Sequence, residues 1–267
     1  MAAKKAGETT ATVSLDLNRT ETEVALTEAG VTLPEGPTLL WAEVAKIDED
    51  DHGCFLIHEG VPHRIHVFSE TTRRSCSLRA TEKAPTMILA GFPMHRIKDV
   101  DPIEDTRRKI QTLMPVFGRV LDTATGLGYT AIAAAETASE VVTIELDPGV
   151  LAIAKRNPHS QELFTNTKIK QKMGSSFEVL PTLEDSSFAR IFHDPPTRQL
   201  AGELYSEEFY GQLYRVLKKN GKLFHYVGDL NSTYGSSVMK GAIRRLQNVG
   251  FTKVTRAPEA FGLIALK

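Results

Sequence analysis

The chain has 267 residues, of which 41% are hydrophobic and 24% charged, with 32 Lys and Arg against 33 Asp and Glu and a formal charge of −1. At roughly 150 residues per domain, that length makes one large folded domain or two modest ones. The composition excludes whole-chain disorder, collagen and coiled coil, and the near-neutral balance excludes a protein that grips nucleic acid by bulk charge alone.

In chain order, residues 1–10 (MAAKKAGETT) have lysines but no apolar core, so they read as a disordered tail and not as a signal peptide. Residues 11–100 read as a small β-rich domain. Strands are expected at 11–18, 22–28, 53–60, 63–68 and 84–91, with one short helix over 37–51. Arg73–Leu78 is mostly polar and reads as an exposed edge or turn. Cys54 and Cys76 have no metal-ligand spacing, which excludes a disulfide framework or zinc site and fits a reducing cytoplasm. Residues 101–117 read as a charged linker helix. From Gly118 to residue 267, apolar strands alternate with helical patterns, the signature of a parallel α/β sheet. Strands are expected at 118–122, 140–146, 169–173, 189–194 and 222–228. Helices are expected at 129–138, 148–157, 205–219 (stopped by Asn220-Gly221) and 236–250, and a closing strand pair follows. No apolar run approaches the roughly 18 residues that cross a bilayer, so a cytoplasmic protein without a membrane partner is expected.

The segment LDTATGLGYTA (121–131) carries the most information. A strand ends at Asp122, glycines follow at 126 and 128, and a helix starts at once. Glycine allows the sharp turn and the close passage of a ligand. Ala131 stands where a third glycine completes the dinucleotide fingerprint, a substitution that pattern allows, so the glycine string alone decides nothing. Glu145 ends the next strand, at the edge where open α/β sheets bind ligands and where an acid accepts hydrogen bonds from ribose hydroxyls. Asp147, next to Pro148, reads better as a helix N-cap. In ARIFHDPPT (189–197), Asp194 closes the fourth strand and Pro195-Pro196 make a rigid turn without N–H groups. Asp194 and the two proline carbonyls are acceptors suited to an amino group.

Residues 118–157 resemble the class I S-adenosylmethionine (SAM) methyltransferase fold, a Rossmann-like seven-stranded sheet, and the resemblance continues to the C-terminus. It implies that SAM is the cofactor. Asp122 with Thr123 and Ala124 would hold its amino-acid part, Gly126 and Gly128 would let it lie flat, and Glu145 with Leu146 would bind the nucleoside. An adenine contact would fall on Gly174, Ser175 or Ser176, although Ser175 reads equally as a helix N-cap. The HDPP loop is similar to the DPPY loop of N-methyltransferases that act on nucleobase amino groups, with Thr197 in place of the aromatic. LYSEEFYGQLYRVLKKNGKLF (204–224) and VVTIELDP are similar to segments of spermidine synthases, which use decarboxylated SAM and carry a small N-terminal β domain. The combination of GFPMHR (91–96), DTATGLG (122–128) and HDPP (193–196) resembles a group of predicted archaeal methyltransferases.

The expectation is a transferase that moves a methyl group from SAM to an amino nitrogen of RNA or of a small amine, without a metal, and with a homodimer left open. Asp194, Pro195, Pro196 and His193 are the catalytic candidates; His95 and Tyr205 are the substrate-binding candidates. His95 and His193 read equally as structural, and Phe209 and Leu213 as core. The clusters Arg73/Arg74/Arg79, Arg107/Arg108/Lys109 and Arg244/Arg245 read as solvated surface or as a track for a phosphate backbone. An aminopropyltransferase and a non-catalytic binding module are the rival readings.

Overall fold

The computed structural model describes residues 2–34 and 36–267, the side chain of Tyr234 excepted. The chain separates into two compact units. One runs to Pro102 and takes in Ala152–Gln161; the other comprises Ile103–Leu151 and Glu162–Lys267.

The first unit is built from short antiparallel pieces. After α1 (Ala2–Lys5) come β1 (Thr10–Val13), β2 (Thr22–Leu26), β3 (Gly30–Thr32) and β4 (Thr38–Leu40), which pair in that order. The strand expected over 11–18 stops at Val13 because Leu17 and Asn18 take positive φ, and the Asp16 carboxylate accepts the N–H groups of Arg19 and Thr20 to close a turn. The helix expected over 37–51 begins later, as α2 (Trp41–Asp48), because 38–40 are drawn into the sheet. The tail read as disordered contains α1 and the first residue of β1.

β5 (Phe55–His58) and β6 (Val61–Arg64) form a hairpin. β7 (His66–Ser69), β8 (Arg74–Arg79), β9 (Thr86–Leu89) and β10 (Phe92–Pro93) form a second four-stranded sheet. Two expectations are corrected here. The single strand at 63–68 is two strands in different sheets, separated at the buried Ile65, whose N–H donates to Cys54 and whose carbonyl accepts from Leu78. Arg73–Leu78 is not an edge: β8 lies between β7 and β9, with Cys76 and Leu78 buried and the polar residues alternating with them.

From α3 (Pro102–Thr112) onward the chain alternates strands and helices. These are β11 (Arg119–Asp122), α4 (Tyr129–Ala135), β12 (Glu140–Glu145), α5 (Pro148–Lys155), α6 (Gln161–Thr165), β13 (Ile169–Met173), α7 (Ser176–Val179), β14 (Phe188–His193), α8 (Glu207–Val216), β15 (Leu217–Tyr226), α9 (Thr233–Asn248), β16 (Lys253–Ala257) and β17 (Gly262–Leu266). The seven strands lie in the order β13-β12-β11-β14-β15-β17-β16, parallel except for β17, which runs antiparallel to both neighbours. β14 is buried along its whole length, as a central strand covered on both faces must be. The core joins Leu121, Ile191 and Leu223 of the sheet to Phe209 and Leu213 of α8 and Leu246 of α9.

Local chemistry sets the helix boundaries. The Ser206 hydroxyl accepts from Phe209 N–H at 3.1 Å to start α8, and Ser232 accepts from Gly235 N–H at 3.0 Å to start α9. α8 ends at Val216, short of the expected residue 219. Leu217 enters the sheet opposite Phe188, and Lys267 Nζ donates to the Tyr214 and Leu217 carbonyls at 2.6 and 2.7 Å. Asn220, at φ 60°, is therefore a kink within β15 rather than a helix stop.

Candidate active site

The order of the strands places the site. β11 has β12 on one side and β14 on the other, so the chain reverses its direction of winding at the carboxyl end of β11, and ligands of open α/β sheets lie in the crevice there. Asp122, Glu145 and the His193-Asp194 pair stand at the ends of these three strands.

Asp122 is 1% exposed. Its Oδ2 accepts from the Thr143 hydroxyl at 2.8 Å. Because Thr143 spends its proton there, the Thr125 hydroxyl, 2.6 Å away, is the donor to Thr143. Asp122 Oδ1 has no partner among the described residues. Burial pushes the Asp122 carboxyl up to about 7 against the pull of the Thr143 hydroxyl and the Ala124 N–H, and the charges of Asp194 and Glu145 push the same way. An orphaned acceptor in so buried a place calls for a donor that the protein does not supply.

The glycine turn is fixed to the next strand. Gly126 N–H donates to Glu145 Oε2 at 2.9 Å, and Thr125 N–H donates to the Ile144 carbonyl at 2.9 Å. Gly126 and Gly128 take φ of 54° and 80°. A Cβ on Gly126 would meet nothing within 4 Å, so there is open space over the turn, whereas one on Gly128 would lie 2.8 Å from the Leu163 side chain. Glu145 Oε1 accepts the Asp147 N–H at 3.0 Å. Burial raises the Glu145 carboxyl to about 7 against those two backbone donors. Each of its oxygens keeps acceptor capacity. Asp147 is the cap it was read to be, accepting from Gly149 N–H at 2.8 Å. Leu146 is exposed beside Glu145. Gly174, at φ 136°, donates to the Glu145 carbonyl at 2.9 Å. Ser175 caps α7 through Phe177 N–H at 3.2 Å, so its hydroxyl is already engaged.

Beyond β14 the structure departs from the sequence reading in two places. Pro196's carbonyl is not free: it accepts from the Tyr205 hydroxyl at 3.1 Å. Lys109, grouped with a solvated cluster, is 2% exposed, with Nζ 2.6 Å from Asp194 Oδ2 and 2.9 Å from Asp105 Oδ2. Burial alone would lower the Lys109 ammonium, but the two carboxylates overcome it and hold the group charged, above its usual range. Pro195 is buried in the same turn.

His193 is fully buried. Its Nε2 faces the Leu204 carbonyl at 3.0 Å and must donate, which leaves Nδ1 to accept the Thr123 hydroxyl at 2.7 Å. Burial lowers its imidazole to about 3. Both nitrogens are thus committed to joining the glycine turn after β11 to the segment before α8, an arrangement that gives His193 a structural part. His225 follows the same logic: Nδ1 donates to the His193 carbonyl at 3.3 Å, and Nε2 accepts from the Tyr210 hydroxyl at 2.7 Å. Tyr205 is buried against both imidazoles, with ring centroids 6.3 and 5.3 Å apart. The structure therefore brings together Asp122, Thr123, Gly126, Glu145, His193, Asp194 and Tyr205. His95 belongs to the other unit, where its Nδ1 lies 3.0 Å from the Thr86 hydroxyl.

The methyltransferase small domain model matches residues 105–253. The chain belongs to that family. It is 40% identical over 262 residues to the uncharacterized protein MJ1233 of Methanocaldococcus jannaschii, covering 96% of this chain and 88% of the relative. Among solved structures, a spermidine synthase in complex with the transition state analogue AdoDATO shares the fold at TM-score 0.62 and 17% identity, over 81% of this chain and 78% of its own. MnmC2 from Aquifex aeolicus does so at TM-score 0.52 and 18% identity, over 71% and 70%. The cofactor of the family is SAM, and the residues fit it: Asp122 Oδ1 offers an unspent buried acceptor for an ammonium, the space over Gly126 admits a ligand against the backbone, and Glu145 offers acceptors to hydroxyls. No helix among the described residues is long and apolar enough to cross a membrane.

Proposed function

We propose that the protein transfers a methyl group from SAM to an uncharged amino nitrogen of RNA or of a small molecule. The observation that carries this reading is the pairing of two chemically distinct carboxylate stations on adjacent strands: Asp122 with Glu145 for the cofactor, and Asp194 before the rigid Pro195-Pro196 turn for the acceptor.

When bound, SAM supplies a methyl made electrophilic by its sulfonium. The chain's own residues do the rest. Asp122 would take the ammonium of the amino-acid part, Glu145 the ribose hydroxyls and Leu146 the flank of the base. Thr123, fixed by the hydroxyl it donates to His193, holds the turn in one conformation. Asp194 would accept a hydrogen bond from the acceptor amine, turn its lone pair toward the methyl and stabilise the positive charge that develops on nitrogen. Orientation of this kind contributes several kcal/mol to a displacement. His193, with both nitrogens bonded, is not the base; Tyr205 serves the pocket by holding the Pro196 carbonyl.

The test is transfer of labelled methyl from SAM into fractionated RNA, protein and metabolites: label in an N-methyl product supports the reading, and none in any fraction contradicts it. The aminopropyltransferase alternative draws on the spermidine synthase fold, and calorimetric preference for decarboxylated SAM over SAM would favour it.

A further inference from the structure

We propose that the open face of the β7–β10 sheet is a docking surface for single-stranded RNA, with a base stacked on Phe68 and phosphates held by Arg73 at one end of β8 and by Arg79 and Lys83 at the other. As a choice between the two acceptor classes the proposal rests on the reading above; as a binding surface it does not.

Charge is divided along the sequence of the first unit. Residues 10–51, which hold the β1–β4 sheet and α2, contain ten Asp and Glu against two Lys and Arg. Residues 52–100 reverse the sign, with seven Lys and Arg against four Asp and Glu. A chain of formal charge −1 thus carries a locally basic sheet, which is the electrostatic footprint of nucleic acid.

Strand register assigns the two faces of that sheet. On one, Val67 lies opposite Cys76, Cys76 opposite Leu89 and Leu78 opposite Met87. Cys76, Leu78, Met87 and Leu89 are buried there. The alternate residues share the other face: His66 opposite Ser77, Phe68 opposite Ser75, and Ile88 opposite both Ser77 and Pro93. On this face Phe68 is 50% exposed, and His66, Ser75 and Pro93 are exposed with it. His66 Nε2 lies 2.7 Å from Ser75 Oγ, which fixes the imidazole beside Phe68. The short side chains of Ser75 and Ser77 stand between the β7 rings and the Ile88-Pro93 pair, and they floor a shallow trough with hydroxyls.

An aromatic face stacks any base, and serine hydroxyls both donate and accept toward base edges and 2′-hydroxyls. The cations stand where a strand lying in the trough would carry its phosphates. Arg73, in the turn before β8, has a side chain 78% exposed and pairs with Glu70 only at 3.7 Å. Lys83, in the loop after β8, is 74% exposed and lies 3.5 Å from Asp101. Exposed pairs of this kind hold their partners weakly, so a phosphate can replace either carboxylate. Arg79 shares the face of Ser75 and Ser77, six residues along from Arg73, a span of roughly 20 Å that matches several phosphates of a single strand. A protein partner suits this surface less well. Interface cores are depleted of charge, and the apolar area here is one ring, one proline and the half-buried Ile88 within a basic border.

The test is fluorescence anisotropy of a labelled oligouridylate of about ten nucleotides, titrated with the full chain in the absence of SAM. At about 100 mM salt the wild type should bind it with a Kd below about 10 μM, and the affinity should fall as salt rises. Phe68→Ala, at an exposed position, should weaken binding by about tenfold or more. Phe92→Ala removes a ring that is also exposed but lies opposite Leu89, on the other face, and should leave binding unchanged. Arg73→Gln/Lys83→Gln should weaken binding and lower the salt slope by about one to two. No saturable binding by the wild type overturns the proposal, as does equal affinity for duplex RNA or for a matched DNA strand, or a folded Phe68→Ala that binds as the wild type does. Should Phe68→Ala not fold, the wild-type preference for single-stranded RNA and the response of the charge variant decide. Because these titrations contain no SAM, failure of the methyltransferase reading shows separately, as absent methyl transfer by a protein that still binds RNA.

Discussion

Lowering the pH from 8 to 6 should weaken SAM binding, and the structure sets the size of the effect. Burial pushes the Asp122 and Glu145 carboxyls up to about 7 by opposing their charge. An ammonium at Asp122 favours the ionised form, so binding releases a proton below that pH. One unit below the midpoint only about a tenth of the group is ionised, which weakens binding roughly tenfold, or about 1.4 kcal/mol. If ribose also requires Glu145 ionised, the combined loss approaches roughly 100-fold. Above about pH 8 the α-amino group of the ligand loses its own proton, so the rise with pH ends there. The free protein should respond with the opposite sign. A carboxyl whose folded value is raised binds more protons folded than unfolded between about pH 4 and 7, so these two groups contribute stability at low pH that is lost as the pH rises through that window. Calorimetry in two buffers of different ionisation enthalpy measures both affinity and proton release. An affinity constant from pH 6 to 8 with no proton released would refute the assignment of these carboxylates.

Other substitutions separate the parts of the site. Asp194→Ala should abolish methyl transfer, read as label in product, while leaving SAM affinity nearly unchanged; surviving activity would remove Asp194 from the acceptor pocket. Glu145→Ala should weaken SAM binding by about 1–3 kcal/mol, the range for losing bonds to a charged group, measured by calorimetry. Gly128→Ala should destabilise the protein by more than about 1 kcal/mol in urea unfolding, because the new Cβ sits at positive φ and against Leu163. His193→Phe should cost about 1–3 kcal/mol for each group left unpaired at Thr123 and Leu204, with no loss of an activity limb near pH 6.5; such a limb in the wild type that vanishes in the variant would make His193 a base after all.

The sequence showed most clearly what is local or continuous. β11, β12 and β14 are apolar runs because parallel strands are buried on both faces, and the acids that end them stand out against those runs. Asp122 and Glu145 were legible for that reason, as was Asp194. Lys109 was not. Its neighbours Arg107 and Arg108 are exposed, and the carboxylate that explains its burial comes from another strand. The only local signal was the Asp105–Lys109 spacing, which solvated helices share. β8 was hidden because Arg74, Ser75, Ser77 and Arg79 outnumber the two buried residues between them. The end of α8 was misplaced because Leu217 continues the helical period, while its real partner is Phe188 on another strand and the cap is Lys267 at the end of the chain. The commitment of His193 was invisible too, since Thr123 and Leu204 meet it only through the fold.

A crystal structure of the protein soaked with S-adenosylhomocysteine tests the account most directly. Density is expected against Gly126 and Gly128, with the amino group at Asp122 Oδ1 and the ribose hydroxyls on Glu145. An intact fold with that crevice empty, or with the ligand held elsewhere, would contradict it.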